Sequence, residues 1–319
     1  MKCFILVGES SGEIQKELDM AKKLFSSTGA ELEVETVCID DIMVISQHDF
    51  KGKLWIAGKE VNCPDFVLVG VMGVSRQYQF KAVLRMFESL GVLCINPAET
   101  VERTNDKLYT FQVAMKEVPE IRIPKTVLIT SRLSAAEIGA QVGYPVVVKV
   151  MHGSMGKGIM LAQTQKELEN LLCLLFAADF DDEVIAQQAI LSSRGKDIRL
   201  ILVGGEVVHS FVRCNDGHFK SNVKQGGYLV DFEAPEELKR MSEKLAKALD
   251  LKMGSIDYLF GEKEGEFYLC EANSMPGITY IFEAQQKGDR ELLKKIMEVP
   301  QKLLAQHGNP KWKQNPKGE

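Results

Sequence analysis

Residues 255–273 read SIDYLFGEKEGEFYLCEAN, two apolar runs joined by a polar turn that contains a glycine. The pattern predicts a β-hairpin, because a turn glycine adopts the positive φ that tight loops require. Side chains alternate along a strand, so Glu271 and Asn273 share one face. If the loop comprises residues 262–266, Asp257 lies directly opposite Glu271 on that face. A loop one residue shorter would turn Asp257 to the other face.

This hairpin is a candidate metal site. Two carboxylates and a carboxamide are hard oxygen donors, and such donors suit Mg²⁺ or Mn²⁺. The alternative is an ordinary hairpin whose acidic residues, Asp257 and Glu271, lie on its solvated side. Basic and glycine-rich motifs earlier in the chain favour the metal site, since together they are typical of a nucleotide site.

Composition excludes several classes of protein. The 319 residues are 45% hydrophobic and 26% charged, with a net charge of −5, which is typical of a globular chain of two or three domains. The net negative charge argues against general binding to nucleic acid or anionic membranes. No apolar run reaches the length of about 18 residues that a transmembrane helix needs. We therefore expect no nucleic-acid partner and no membrane partner.

The N-terminal residues and the cysteines bear on the cellular compartment in which we expect the protein. MKCFILVGESSGE at the N-terminus predicts a first core strand rather than a signal peptide. The seven cysteines are scattered and include no CxxC pair, so we expect reduced, buried thiols and a cytoplasmic protein.

The chain divides into four segments by pattern. Residues 1–97 alternate strands and helices, which predicts an N-terminal open α/β domain with a mostly parallel sheet. Residues 98–190 predict a small α+β subdomain, and residues 191–306 predict a second α+β subdomain that carries the acidic hairpin. Residues 307–319 are polar with two prolines and predict a flexible tail.

Two lysines are candidate ligands of phosphate. Lys149 lies within VVVKV, a strand that should be buried, and a buried ammonium group is costly unless it meets an anion. The alternative is a lysine that extends from a sheet edge into solvent. Lys107 follows Asn105 and Asp106 near a helix start, and taken alone it would be an ordinary surface lysine.

A glycine-rich loop lies between two predicted strands and directly follows His152. Its three glycines let backbone N–H groups turn toward a phosphate, and the loop is able to close as a lid. It lacks the GK[ST] of a P-loop, and a simple glycine-rich hairpin tip is the alternative. The loop consists of Gly153, Ser154, Met155, Gly156, Lys157 and Gly158.

Two arginines and a polar loop complete the candidates. Arg199 and Arg213 lie near the ends of neighbouring strands of a predicted hairpin and are placed to reach one cleft. Guanidinium groups suit phosphoryl or carboxylate oxygens. The glycine-rich stretch from Ser221 to Gly227 contains Asn222 and is able to close over a substrate. For each of these taken alone, a solvated surface residue is the better interpretation.

In their order along the chain, these pieces resemble the ATP-grasp superfamily. The order runs Lys107, VVVKV with GSMGKG, EVIAQQ, DIR, SN followed after three residues by GG, SID, and CEANSMPG. Within the superfamily, the SN…GG and EAN…PG segments resemble the RimK-like carboxylate–amine ligases, which include glutamate ligases. The resemblance covers roughly residues 65–285.

The resemblance implies a pre-ATP-grasp α/β domain followed by a two-subdomain ATP-grasp fold that holds ATP between its lobes. It implies that Lys107, Lys149 and the loop 153–158 contact nucleotide phosphates. It implies a hinge that holds adenine, two Mg²⁺ ions with Mn²⁺ as an alternative, and polar residues lining the phosphate and acyl-transfer region. The hinge is Gln187, Gln188, Ala189 and Ile190; the metal ligands are Asp257, Glu271 and Asn273; the polar residues are Arg199, Arg213 and Asn222.

Two positions depart from the family pattern. Gln188 stands where such enzymes carry a hinge glutamate that binds adenine or ribose. Gln225 stands where relatives carry an arginine before GG. The first departure bears on the choice of nucleotide, and the second bears on which amino acid is the substrate.

The resemblance implies a ligase that uses ATP to join an amino-acid amine, by family analogy glutamate, to the carboxylate of a small molecule, peptide or protein through an acyl phosphate. Because relatives commonly assemble into homo-oligomers, the resemblance implies that this chain also forms a homo-oligomer. Two alternatives stay open. One is a regulatory ATP-binding protein on the same fold, like the synapsins, and the other is a phosphoryl transferase.

Overall fold

The structure is a computed structural model of the 319-residue chain. It describes residues 1–8, 19, 33–45, 52–72, 76–130, 133–151, 158–177, 183–217, 227–274 and 290–308. Within these residues the chain forms three sheets of four or five strands and one two-stranded hairpin.

The described elements follow in chain order. The first part of the chain contains β1 (Lys2–Val7), β2 (Glu33–Cys38), β3 (Lys53–Ile56), β4 (Lys59–Asn62), β5 (Phe66–Val69), α1 (Gln77–Ser89) and β6 (Leu93–Ile95). The middle contains α2 (Ala98–Asn105), α3 (Lys107–Glu117), β7 (Thr126–Leu128), α4 (Ala135–Val142), β8 (Val146–Val150), β9 (Ile159–Ala162), α5 (Gln165–Ala177) and β10 (Val184–Gln188). The remainder contains β11 (Lys196–Val203), β12 (Glu206–Cys214), β13 (Tyr228–Asp231), α6 (Glu236–Leu249), β14 (Met253–Phe260), β15 (Phe267–Asn273) and α7 (Arg290–His307).

The N-terminal sheet is parallel, in the order β2-β1-β5-β6. Its central strands are apolar on both faces because α1 packs on one side and the large C-terminal sheet with α7 packs on the other. Phe4, Phe66 and Phe87 are fully buried in and around it. The expected open α/β domain is confirmed. The stretch EIQKELDMAKKLF, residues 13–25, has the apolar spacing that predicts a helix, and it lies outside the described residues apart from Asp19.

Residues 98–117 form two helices, and the helix start expected just before Lys107 is observed. Asp106 ends α2 and begins α3, where its side chain accepts a hydrogen bond from the backbone N–H of Tyr109 at 2.9 Å. This is an N-cap, which supplies an acceptor to an otherwise unpaired helix-start amide. Both helices pack beside β15, and Phe111 and Ala114 of α3 belong to the core beneath the large C-terminal sheet. The expected division had grouped these residues with the small sheet.

The small sheet is antiparallel, in the order β7-β10-β8-β9, with α4 and α5 on one side. Ser134 begins α4 through a capping box: its hydroxyl accepts from the Glu137 N–H at 3.2 Å, and the Glu137 carboxylate accepts from the Ser134 N–H at 2.8 Å. Gly143 ends the helix with a φ of 76°. This sheet carries Lys149 on β8 and the predicted hinge at the end of β10.

The large sheet is antiparallel, in the order β13-β12-β11-β14-β15. One face is apolar and packs on α3 and α6, where Ile198, Leu200 and Ile256 are fully buried. The opposite face has two parts. Ile201 and Met253 continue into a core shared with the N-terminal sheet, and the part beyond them is polar. That polar part carries the predicted site.

Among the described helices, none combines the length and the apolar character needed to cross a membrane.

Candidate active site

Asp257 and Glu271 are paired across the acidic hairpin as predicted, but a register shift rather than the predicted loop length produces the pairing. Asp257 is paired with Glu271, as predicted, and Gly265 has a φ of 75°. The pair nearest the tip is Phe260 with Phe267, so the loop is longer than predicted. Continued without interruption, that register would pair Asp257 with Cys270. A register shift between Asp257 and Tyr258, as at a β-bulge, restores the face that carries the acidic residues.

Asp257 lies at the centre of a buried ion network. Its side chain has no solvent exposure. Arg199, opposite it on β11, donates from Nε to Oδ1 at 2.8 Å and from Nη2 to Oδ2 at 2.6 Å. Arg213 of β12 donates from Nη2 to Oδ2 at 2.7 Å. The two predicted arginines therefore converge on one predicted metal ligand.

Asp197 is a member of this network that the sequence interpretation missed. It lies opposite Arg213 and accepts from Nε at 2.7 Å and from Nη2 at 2.5 Å, a bidentate pair. Its position two residues before Arg199, on the same strand face, was the available signal. Two arginines and two aspartates thus balance in charge within the network.

Burial and charge act in opposite directions on the two aspartates. Burial favours the neutral form of Asp257, but Arg199 and Arg213 together outweigh it and hold the pKa of Asp257 below its usual value. Burial raises the pKa of Asp197, and Arg213 offsets only part of that increase. Asp257 is accordingly the more firmly ionised carboxylate.

The metal-binding prediction concerns three side chains on one face. Asn273 donates from Nδ2 to Glu271 Oε1 at 3.3 Å, which leaves the amide oxygen of Asn273 as an acceptor. Both side chains are partly exposed, whereas Asp257 lies beneath the arginines. The described residues contain no cluster of three or more His, Cys, Asp or Glu side chains suited to a metal. The set of two carboxylates and a carboxamide nevertheless fits a hard cation that also keeps substrate oxygens or water as ligands.

Lys107 is buried rather than on the surface. It begins α3, with 9% of its area exposed, and its Nζ donates to the carbonyl oxygen of Met151 at 2.9 Å. Met151 directly follows β8 and is separated from the glycine-rich loop only by His152. The ammonium group therefore anchors the base of that loop.

Lys149 is held in a chain of hydrogen bonds across the small sheet. Its Nζ donates to Gln187 Oε1 at 2.7 Å, and Gln187 Nε2 donates to Thr126 Oγ1 at 2.9 Å. Lys149 is 7% exposed, and its described hydrogen-bond partner is neutral. An anionic ligand would supply the counter-charge that a buried ammonium group favours.

Cys270 lies on β15 of the acidic hairpin, directly before Glu271. Burial raises the pKa of the Cys270 thiol to about 12, and the positive charge of Lys149 opposes the increase.

The predicted hinge is partly engaged in the sheet. The backbone N–H of Gln188 donates to the carbonyl of Lys125 at 2.8 Å, and the Lys125 N–H donates to Gln188 Oε1 at 3.3 Å. Ala189 and Ile190 follow β10 and are partly exposed. The side-chain oxygen of Gln188 thus holds the neighbouring strand.

The described residues include only the end of the glycine-rich loop. Gly158 has a φ of 71°, and a Cβ built on it would lie 2.5 Å from Val150 Cγ2, so this position requires glycine. Gly153, Ser154, Met155, Gly156 and Lys157 lie outside the described residues. Asn222 and Gln225 also lie outside them.

Asn96 is a second residue that the sequence interpretation missed. It is 1% exposed and directly follows β6. Its Nδ2 donates to the carbonyls of Met253 and Ser274, each at 2.6 Å, and its Oδ1 accepts from the N–H groups of Lys252 and Met253 at 2.8 and 3.1 Å. Asn96 therefore ties the start of β14 to the residue after β15. A polar residue between an apolar strand and a proline was its only signal.

A family model described as a RimK-like ATP-grasp domain matches residues 104–298. The chain is 32% identical over 247 residues to a "Probable alpha-L-glutamate ligase" from Cellvibrio japonicus (strain Ueda107). The matched region covers 77% of this chain and 80% of that protein. Other relatives with the same description are longer, and the chain spans about half of their length.

Solved structures share the fold. A D-alanine–D-alanine ligase from Coxiella burnetii superposes with a TM-score of 0.69 and 15% identity, covering 96% of this chain and 94% of that one. The ATP-grasp ligase PsnB, complexed with a phosphomimetic variant of its minimal precursor, Mg and ADP, gives a TM-score of 0.65 and 16% identity, covering 96% and 98%. At these identities the likeness concerns the fold.

Proposed function

The chain belongs to the RimK-like ATP-grasp family of ATP-dependent carboxylate–amine ligases, and we propose that it joins glutamate to a substrate carboxylate through an acyl phosphate. Glutamate is proposed because the relative from Cellvibrio japonicus carries the description of an alpha-L-glutamate ligase. The carboxylate belongs to a small molecule, a peptide or a protein.

The proposed reaction has two steps. An oxygen of the substrate carboxylate attacks the γ-phosphorus of ATP, and the bond from that phosphorus to the bridging oxygen of ADP breaks. The amine of glutamate then attacks the acyl carbon, forming the C–N bond. Phosphate leaves with the former carboxylate oxygen, and the ammonium proton is released. The products are an amide, ADP and phosphate.

The chain contributes positioning and charge rather than a nucleophile. Lys107 and Lys149 are proposed to contact the phosphates from the small-sheet side, where Lys149 lacks an anionic partner among its described hydrogen bonds. Arg199 and Arg213 are proposed to stabilise charge on the transferred phosphoryl group. Asn222 and the loop 153–158 are proposed to cover the reacting groups and exclude water.

The residues that would hold divalent cations are Asp257, Glu271 and Asn273. Mg²⁺, as two ions in the family pattern, neutralises charge on phosphate oxygens when it is bound. The arginines preorganise Asp257 for this role, because they keep its carboxyl group ionised in a site without solvent contact.

One observation carries the proposal. Asp257, Glu271 and Asn273 share a single face of the large sheet, while the buried cations Lys149 and Lys107 bind neutral groups in or directly after the strands of the small sheet. Such an arrangement is suited to a triphosphate with its cations between two lobes. It does not require a covalent intermediate with the protein.

A screen of acids against amino acids, with ATP and Mg²⁺, tests the proposal. Phosphate release that depends on both an acid and an amine, with an amide found by mass spectrometry, is the expected result. Glu271→Gln should abolish this release while the protein stays folded. ATP binding without amine-dependent ADP release would indicate a regulatory binding protein instead. A phosphorylated final product without an amide would indicate a phosphoryl transferase.

A further inference from the structure

Ser255 has an unusual hydroxyl group. It lies on β14 two residues before Asp257, on the same strand face, and is paired with Asn273 on one side and Ile201 on the other. Its side chain has no solvent exposure, and its Oγ has no hydrogen-bond partner among the described residues. The sequence interpretation assigned it no role.

An unpaired buried hydroxyl destabilises a protein, because it loses hydrogen bonds to water and gains none. Other buried hydroxyls nearby are satisfied: Ser242 and Tyr258 share a hydrogen bond of 2.9 Å, and Thr104 donates to Ser274 Oγ at 2.7 Å. The unpaired hydroxyl of Ser255 is an exception among them and calls for an explanation. A bound ligand that accepts its hydrogen bond is one such explanation.

The surroundings of Ser255 identify the side from which a ligand would come. Met253, two residues earlier on the same face, packs in the core shared with the N-terminal sheet. Asn96, at the carboxyl end of β6, binds the backbones of Met253 and Ser274. Open α/β sheets bind ligands outside the carboxyl ends of their strands. Ser255 therefore lies between that edge of the N-terminal sheet and the acidic hairpin.

The charge pattern indicates what Ser255 would bind. Asp257 and Glu271 are acceptors, and the amide N–H of Asn273 is donated to Glu271. Lys149 lies on the small sheet, and the Nζ of Lys107 reaches that sheet at Met151, on the proposed phosphate side. The Ser255 hydroxyl supplies a neutral donor on the N-terminal side of this face, which suits one oxygen of a carboxyl group.

We propose that Ser255 is a substrate-binding residue whose hydroxyl donates a hydrogen bond to the carboxyl group of the acid that the enzyme ligates. The inference rests on the proposed ligase function and deepens it. It makes this residue a determinant of affinity for the acid rather than for ATP or the metal.

Ser255→Ala tests the proposal, with Thr36→Val as its matched control. Thr36 Oγ1 on β2 is also buried without a described partner, but β2 is the edge strand of the N-terminal sheet opposite β6. Both changes remove an unpaired hydroxyl, so neither should lower the melting temperature. Only Ser255→Ala should raise the KM for the acid, about tenfold, with the KM for ATP and the Mg²⁺ dependence unchanged. Ser255→Cys, a weaker donor, should give a smaller increase.

The outcomes separate this inference from the proposed function. If the wild-type enzyme releases ADP in an amine-dependent way and Ser255→Ala leaves the acid KM unchanged, the Ser255 proposal is wrong and the ligase function stands. Equal increases in the KM for acid and for ATP would also overturn it, since they indicate a general disturbance of the site. If the wild-type protein ligates no acid, both proposals fail together.

Discussion

Asp257→Asn removes the negative charge on which two arginines converge. The native carboxylate accepts three hydrogen bonds of 2.6 to 2.8 Å from Arg199 and Arg213. Asparagine keeps one acceptor oxygen but sets an NH₂ donor against guanidinium donors. The variant therefore has a buried positive charge with less compensation, in addition to losing a proposed metal ligand.

The cost follows from the geometry of the network. Breaking a buried ion pair by removing one partner costs about 3 to 5 kcal/mol. Arg213 keeps its bidentate pair with Asp197, so we expect the lower end, about 3 kcal/mol. With an unfolding entropy of about 2.1 cal/mol/K per residue over 319 residues, the melting temperature should fall by about 4 °C.

Calorimetric melting of Asp257→Asn beside Glu271→Gln provides the assay. Glu271 accepts a single described hydrogen bond, of 3.3 Å, so its variant should melt within about 1 °C of the wild type. Both variants should lack ligase activity. Equal melting temperatures for Asp257→Asn and the wild type at neutral pH would refute the reasoning about the network.

The pH dependence supplies a second check. The arginines hold the pKa of Asp257 below its usual value of 3.8, so its ionised form stabilises the folded protein above that pH. The contribution is lost as the pH falls through the lower, folded-state pKa. The difference in stability between the wild type and Asp257→Asn should therefore be full at neutral pH and shrink in acid. A difference that grows in acid would contradict the assigned direction.

Three further predictions follow from single contacts. Lys149→Met should weaken ATP binding about tenfold in calorimetry, because it removes a buried cation, and unchanged affinity would count against its phosphate role. Asn96→Leu leaves backbone groups unpaired at about 1 to 3 kcal/mol each, so it should lower the melting temperature and speed hydrogen exchange at Met253; native-like exchange there would be inconsistent with the tie. At pH 8 iodoacetamide should label exposed Cys173 and spare fully buried Cys3, whose thiol pKa burial raises well above its usual value; labelling of native Cys3 in peptide maps would disprove this.

Local patterns predicted much of the fold because they depend on neighbouring residues. Alternating strands and helices predicted the parallel N-terminal sheet, and apolar runs predicted β8, β14 and β15. The turn glycine at Gly265 and the β-strand period predicted which residues of the hairpin share a face. These rules act over a few residues, so the sequence alone is sufficient for them.

The register of the hairpin shows where local rules end. The loop was predicted one residue too short, and the longer loop by itself would have turned Asp257 away from Glu271. The irregularity beside Cys270 compensates for it. A β-bulge depends on packing on both sides of the strand, so no single residue of the sequence predicts it. The pairing was predicted correctly while its cause was not.

The helix break at Asp106 was visible in the sequence, since aspartate is a strong N-cap residue. The packing of α2 and α3 was not visible. Their apolar residues fit any core of suitable shape, and only the tertiary arrangement directs Phe111 to the large sheet.

The sequence by itself determined which residue types could bind metal and phosphate, and on which strand faces they lie. Only the tertiary structure decided which charges meet: Arg199 and Arg213 reach Asp257 from positions 58 and 44 residues away, and Asp197 balances them. It also left the Ser255 hydroxyl without a described partner. The physical reason is that secondary structure follows from short-range periodicity, whereas the neutralisation of buried charges depends on strand pairings that join distant parts of the chain.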